Sequence, residues 1–260
     1  MLKNKLSLSI ILISFFLSLL VSFYNLKNFD KNIVIENKSY HQMIKSDPYR
    51  YLSNGYDITG QLREGTPFLK TGPENYTKYL PARIAAIYYY IFNYELFEDK
   101  EEKIIKSSIH NFYLYIQCFF YFFSVFFFSY SLRKKINNNL VVNSVIVFLC
   151  IEPTIFQYHG SFWSESYFFS FQLLLLTFML RSESLINLCF VGIFLGILSL
   201  QKQLAFFYVI PIIFYYFYYL NNHKIKKVFT ILLGFFLVLS ILGFNNLGRT
   251  GKFYILSADT

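Results

Sequence analysis

Apolar residues fill most of this chain in long runs that short polar segments separate. A helix needs roughly 20 mostly apolar residues to cross the hydrocarbon core of a membrane. Seven runs reach or approach that length, and those at 140–156 and 185–200 are on the short side. The pattern predicts an all-α bundle of about seven transmembrane helices, at residues 6–26, 109–130, 140–156, 162–180, 185–200, 204–220 and 228–244.

The one long polar interval, residues 27–108, is predicted to be a large outer loop with juxtamembrane helices. We expect a short helix over 40–52, a helix stop at Asn54-Gly55 and a mobile loop over 59–76, which is rich in glycine and proline. Residues 80–97 are apolar but contain Arg83, Asn93 and Glu95. They predict an interfacial helix on the outer leaflet, with its tyrosines at headgroup depth.

Composition agrees with a membrane protein, since 55% of residues are hydrophobic, 15% are charged and the mean hydropathy is +0.40. The formal charge of +9 does not indicate nucleic-acid binding, because lysine and arginine collect in alternate short segments. This bias predicts a multi-pass protein of a bacterial inner or plasma membrane, with a cytoplasmic N-terminus, an uncleaved first helix and an outer C-terminus. The basic residues on the predicted inner side are Lys3, Lys5, Arg133, Lys134, Lys135, Arg181, Lys224, Lys226 and Lys227.

Several common catalytic patterns are missing from the sequence. We find no phosphate-binding glycine loop, dinucleotide fingerprint, Ser-His-Asp set or zinc spacing. The three cysteines all fall inside apolar runs. These features argue against an ATP-driven pump and a soluble nucleotide-sugar enzyme, and they predict no cofactor and no metal site. His159 and Glu165 supply two metal-ligand types with no clear third, so a need for a divalent metal stays open.

A series of short motifs follows the predicted helices in a characteristic order. Asp47-x-x-x-Tyr51 with Gly55 opens the outer loop, and Tyr79-Leu80-Pro81 leads into the interfacial helix. The later motifs are Gln117 with 133–135, Glu152-Pro153-Thr154 with Ser164-Glu165-Ser166, Gly192 and Gly196 with Leu200-Gln201-Lys202, and the polar segment 249–257. In order and spacing this set resembles the GT-C superfamily of membrane glycosyltransferases, which includes protein O-mannosyltransferases and aminoarabinose transferases.

The resemblance covers nearly the whole chain, as a single membrane domain over 1–260 with an outer loop at 27–108 and six further spans at 109–244. It implies an enzyme that transfers a sugar from a polyprenyl-phosphate donor to a lipid, glycan or protein acceptor. The chain departs from the family by its smaller number of spans, so the resemblance implies a minimal member, one shortened at its C-terminus, or half of a split enzyme. Lys202 also stands where the family usually has arginine.

Such transfer needs a base for the acceptor hydroxyl and a cation for the departing phosphate. Asp47 is the candidate base, with inversion at the sugar, and Tyr51 shares its helix face; the alternative for Asp47 is a helix cap beside Pro48. Lys202 is the candidate phosphate contact, and a snorkelling lysine is the alternative.

The remaining candidate substrate contacts are Tyr51, His159, Glu165 and Arg83, and structural alternatives of equal or greater weight exist for Glu165 and Arg83. Glu165, near His159, would position the acceptor or the base, and otherwise it is a hydrogen-bonded packing residue. Arg83 and Arg50 are secondary cations for which a solvated or headgroup-facing location is favoured.

Two other functions fit a polytopic chain with these features. A flippase or transporter of lipid-linked precursors would also need an apolar groove, although the sequence shows no inverted repeat. An inactive accessory membrane subunit is the third possibility.

Overall fold

Helices make up all the regular structure in the residues that the computed structural model describes, which are 2–35, 47–72, 79–92, 109–152, 164–181, 184–219 and 223–255. The prediction of an all-α protein is therefore confirmed. The elements in this part of the chain are α1 (Leu2–Ile35), α2 (Asp47–Arg63), a 3₁₀ turn (Phe68–Lys70), α3 (Tyr79–Ile91), α4 (Ile109–Lys135), α5 (Asn139–Ile151), α6 (Glu165–Leu180), α7 (Leu185–Gln201), a second 3₁₀ helix (Gln203–Tyr208), α8 (Val209–Tyr219) and α9 (Lys224–Thr250).

Each of the seven predicted spans overlaps a helix. Within the described ranges, the stretches Tyr113–Lys135 and Lys224–Thr250 are long and apolar enough to cross a membrane, which supports membrane association. The predicted span at 204–220 is broken into the second 3₁₀ helix and α8. Pro211 lies in the first turn of α8, where backbone N–H groups have no partner within the helix.

Side-chain contacts show how the long helices run relative to one another. The Tyr113 and Tyr167 rings lie 5.9 Å apart and the Phe120 and Phe171 rings 5.2 Å apart, so α4 and α6 are parallel. The end of α7 meets the start of α6 through Gln201, so these two helices are antiparallel.

Close backbone contact joins α7 to α9, which run in parallel. A Cβ added at Gly192 would lie 2.0 Å from the Ile231 carbonyl oxygen, and one at Gly196 would lie 2.6 Å from the Val238 Cβ. Only glycine permits this approach. The two glycines therefore serve the close packing of α7 against α9.

These directions give the bundle two different ends. At the end that we call the basic end, Arg133 donates to Asn143 Oδ1 at 2.6 Å and also contacts the Ser7 hydroxyl, which joins α1, α4 and α5. The starts of α7 and α9 lie at the same end, and so do Arg181 and the lysines of 224–227. The opposite end, which we call the site end, contains α2, α3, the start of α6 and the end of α7.

The helical hairpin of α2 and α3 differs from the prediction at residues 54–63, where a helix stop and the start of a loop over 59–76 were expected. The helix stop expected at Asn54-Gly55 is wrong, because α2 continues to Arg63. Gly55 instead lies at the crossing with α3, where an added Cβ would come within 2.6 Å of the Ala85 Cβ. The Thr59 hydroxyl donates to the Gly55 carbonyl at 2.8 Å and lies 3.2 Å from that of Ala86.

The predicted placement of the α3 tyrosines at headgroup depth is wrong for Tyr88 and Tyr89. Both are buried in the protein core, Tyr89 completely, whereas Tyr90 is exposed. The physical reason is that Tyr88 and Tyr89 face the core formed with α2 and α4, whereas Ile87, Tyr90 and Ile91 form the exposed face of α3.

We predict that Gly192→Ala destabilises the protein, because the new methyl group would collide with rigid backbone of α9. Overpacking of this kind costs about 1–3 kcal/mol. The measurement is the thermal unfolding midpoint in detergent. Ile186→Ala, at a 71% exposed residue of the same helix, is the matched control and should unfold near the wild-type temperature. Equal midpoints for both variants would contradict the role given to Gly192.

Candidate functional site

An ion pair between Lys202 and Glu165 is the centre of the site end. Glu165 is the first residue of α6 and Lys202 directly follows α7. The Lys202 Nζ lies 2.5 Å from Glu165 Oε1, and the side chains are 33% and 17% exposed. A carboxylate is favoured at a helix N-terminus and an ammonium at a C-terminus, so each charge suits its helix end. The pair is partly buried yet open to the surroundings.

Two hydroxyl groups extend this pair toward α2. The Ser164 Oγ lies 3.5 Å from Glu165 Oε2 and 3.5 Å from the Tyr51 hydroxyl. Both Ser164 and Tyr51 are buried. Three of the residues predicted as substrate contacts, Tyr51, Glu165 and Lys202, are therefore brought into one cluster.

The Gln201 side chain holds the two helix ends together. Its Nε2 donates to the Ser164 carbonyl oxygen at 2.8 Å, and the residue is fully buried. The other side-chain atom, Oε1, has no hydrogen-bond partner within the part of the chain described. Because Gln201 is anchored, the backbone at Lys202 is fixed beside the start of α6.

Asp47 enters the site through the backbone of α2, which begins at this residue. It is four positions before Tyr51, so the two share a helix face and lie about 6 Å apart along the axis. The helix expected over 40–52 thus begins at Asp47 within the described residues. The Asp47 side chain is outside the described part of the structure, and its role as base stays a prediction.

The metal question rests partly on a residue that the structure does not describe. His159 lies outside the described residues, so its predicted substrate contact is untested. Within the described ranges, no group of three or more histidine, cysteine, aspartate or glutamate side chains is placed to hold a metal ion.

Arg83 takes a different set of partners from Lys202. The expectation that it is solvated or faces headgroups is wrong, because only 2% of its surface is exposed. Its guanidinium donates to the Phe68 carbonyl at 3.2 Å and the Thr71 carbonyl at 2.9 Å. It also lies 4.2 Å from the ring of Phe68 and 4.6 Å from that of Tyr79. The carbonyl dipoles and ring faces compensate the buried charge.

The same network joins α3 to α9 and sets the electrostatics of a nearby phenol. Asn245 Nδ2 donates to the Thr71 carbonyl at 3.1 Å, so Arg83 and Asn245 share one acceptor. Burial raises the pKa of Tyr79, and the charges of Arg83 and Arg249 oppose the rise. The Tyr79 phenol therefore stays neutral and serves packing.

Three tyrosine rings pack next to the cluster. The rings of Tyr88 and Tyr113 are 5.4 Å apart, and those of Tyr113 and Tyr167 are 5.9 Å apart, all in edge-to-face contact. Burial raises the pKa of Tyr88, which keeps its hydroxyl protonated. These ring contacts join α3 to α4 and α4 to α6, and Tyr167 is two residues after Glu165.

An apolar groove of about 700 Å³ runs along α1 and α4. Its lining is aromatic and aliphatic, with Phe16, Leu20 and Phe23 on α1 and Ile116 and Phe119 on α4. Ile116 is one helical turn from Tyr113, although Tyr113 itself does not line the groove.

Comparisons of this chain with protein-family models, with curated proteins and with solved structures find no match.

Two members of the cluster, Ser164 and Gln201, were not predicted as site residues. They lie beside Glu165 and Lys202 in the motifs that carried the resemblance, but a serine or glutamine in an apolar helix has no distinctive pattern. The sequence signal that could have identified them is their position, because each directly precedes a charged residue at a helix end.

We predict that Arg83→Lys lowers stability without added ligand. A lysine ammonium cannot reach both carbonyls while covering two rings, and we expect a loss of about 1–3 kcal/mol. Thermal unfolding in detergent measures the effect. Arg63→Lys, at an exposed residue at the end of α2, is the control. If Arg83→Lys unfolds like the control, the structural account is wrong and a ligand contact becomes the better explanation.

Proposed function

We propose that this chain is an integral membrane glycosyltransferase that moves a sugar from a polyprenyl-phosphate donor to an acceptor outside the membrane. The observation that supports it most is the convergence of Tyr51, Glu165 and Lys202 at one end of an apolar helical bundle. Asp47 begins the same helix one turn before Tyr51. A base, a cation and hydroxyl groups would then meet at one place.

The proposed chemistry uses these groups in a single displacement. Asp47 takes the proton of the acceptor hydroxyl as its oxygen attacks the anomeric carbon. The bond from that carbon to the phosphate oxygen breaks on the opposite side, so the sugar inverts. Negative charge grows on the departing polyprenyl phosphate, and Lys202 stabilises it. Glu165 and Tyr51 position the reacting groups.

The donor also has a long apolar tail, and the groove between α1 and α4 suits it. The groove presents aromatic and aliphatic side chains, and its lining residue Ile116 is one helical turn from Tyr113. Tyr113 contacts Tyr167, which is two residues from Glu165. In this proposal the tail lies along the groove while the phosphate reaches Lys202.

We further propose seven membrane spans with the basic end in the cytoplasm and the site end outside. The alternating helix directions support this arrangement, because they collect Arg133, Arg181 and the lysines of 224–227 at one end. Positive charge in short segments is retained on the cytoplasmic side.

Cysteine labelling in intact cells tests the orientation. In a background with Cys118, Cys150 and Cys189 replaced by alanine, exposed residues at the two ends are changed singly to cysteine. We expect a membrane-impermeant maleimide to label Glu64→Cys and Lys252→Cys but not Lys135→Cys or Lys226→Cys. Labelling after cell lysis confirms that the last two are reactive. The reverse pattern would overturn the proposed orientation.

A transfer assay tests the reaction itself. The purified chain is supplied with a radiolabelled polyprenyl-phosphate sugar and extracts of outer-surface glycans or lipids. We expect transfer by the wild type and a loss of about 10²–10⁴-fold in Asp47→Asn, the range of general-base contributions. Asp57→Asn is the matched control on the same helix, about 15 Å further along its axis, and should keep near wild-type activity.

The other outcomes separate the alternatives. Movement of the labelled lipid between leaflets without transfer would indicate a transporter of lipid-linked precursors. Absence of both transfer and lipid movement would indicate an accessory subunit. Equal transfer by wild type and Asp47→Asn would remove Asp47 from the mechanism while leaving the enzyme class intact.

A further inference from the structure

The Lys202 ammonium already has an anionic partner. Glu165 Oε1 accepts its hydrogen bond at 2.5 Å, with the geometry of a charge-assisted pair. Any phosphate that binds Lys202 through the same ammonium must compete with this carboxylate. The affinity of the site for phosphate therefore depends on Glu165 as well as on Lys202.

The backbone and the side chain of Lys202 differ in freedom. Gln201, the preceding residue, is fully buried and bonded to the Ser164 carbonyl, so the main chain is anchored. The Lys202 side chain is one-third exposed and has four flexible methylene groups. It also passes 5.4 Å from the ring centroid of Phe168, which gives the ammonium a second favourable surface. The Lys202 ammonium can therefore change partners while its backbone, and the helix before it, stay in place.

Glu165 keeps support when its lysine turns away. Its carboxylate lies in the first turn of α6, where the helix dipole favours negative charge. The Ser164 hydroxyl lies 3.5 Å from the second oxygen, Oε2. Separation of the pair thus leaves a carboxylate that is still partly compensated, which keeps the exchange reversible.

We infer that Glu165 is a built-in competitor of the phosphate ligand, and that Lys202 exchanges the carboxylate for phosphate on binding. The inference rests on the proposed function for the identity of the phosphate as that of a polyprenyl lipid. Its consequence is affinity control: Glu165 weakens phosphate binding, so a phosphate-bearing product leaves the site more readily. The ligand class is a phosphate ester or inorganic phosphate.

Binding measurements with the full chain in detergent micelles test the exchange without any transfer reaction. The probes are a short-chain polyprenyl phosphate and inorganic phosphate. Isothermal titration calorimetry measures the dissociation constant of each probe. We expect Glu165→Gln to bind about tenfold more tightly than the wild type, since one charged hydrogen bond no longer competes. Lys202→Met should lose at least tenfold, and Lys202→Arg should retain binding because the charge remains.

The double variant separates exchange from simple repulsion between Glu165 and phosphate. If the carboxylate acts only through Lys202, Glu165→Gln should have no effect in a Lys202→Met background. Equal tightening in both backgrounds would overturn the exchange. Glu64→Gln, at an exposed residue just after α2, makes the same charge change and should bind like the wild type within about twofold.

The two probes identify the source of the phosphate. Tightening with both probes supports the exchange and shows that the phosphate group suffices, whereas tightening with the lipid alone supports it with a membrane-anchored ligand. Equal affinity of wild type and Glu165→Gln for both, or no binding by any variant, overturns the inference.

The transfer assay fails or succeeds independently of these titrations. Tightened phosphate binding without sugar transfer would leave the exchange standing and remove the proposed enzyme.

Discussion

The hydrogen bond from Gln201 to the Ser164 carbonyl sets the register on which the candidate site depends. It forms in a fully buried environment, where a hydrogen bond is strong and a lost partner is costly. Because it joins the end of α7 to the start of α6, the residues that directly follow Gln201 and Ser164 are brought side by side. Those residues are Lys202 and Glu165, so the register of two helices becomes the geometry of an ion pair.

The apolar interior of the bundle also determines where its other charged side chains lie. A helical bundle with an apolar interior favours charged groups at its ends, where unsatisfied backbone carbonyls and amides also lie. At the basic end, Arg133 binds Asn143 and Ser7 and closes three helix ends. At the site end, Arg83 and Asn245 converge on the Thr71 carbonyl. The chemistry of the protein is therefore decided by which charged groups remain accessible after the ends are closed.

Sequence patterns predicted where the helices lie but not how they pack. Long apolar runs identified all seven predicted segments as helical, because local hydrophobicity and helix length are properties of the segment itself. The helix stop at Asn54-Gly55 failed because a glycine at a close helix crossing looks the same in sequence as a glycine at a helix end. Tyr51, Glu165 and Lys202 were predictable as candidates, whereas Gln201 was not, since its importance comes from a tertiary contact.

Arg83 and Lys202 show why the accessible cation could not be chosen from charge alone. Both were predicted on the outer side, and arginine is the better partner for a phosphate because its planar fork binds two oxygens. That same fork lets Arg83 satisfy two backbone carbonyls and two aromatic rings at once, which holds it in the interior at 2% exposure. Lysine has no such fork, so Lys202 makes one strong contact and keeps one-third of its side chain exposed. A single ionic contact can be exchanged for another, whereas a network of four cannot be released without opening the fold. The weaker binder of the two thus retains the freedom that a ligand site requires.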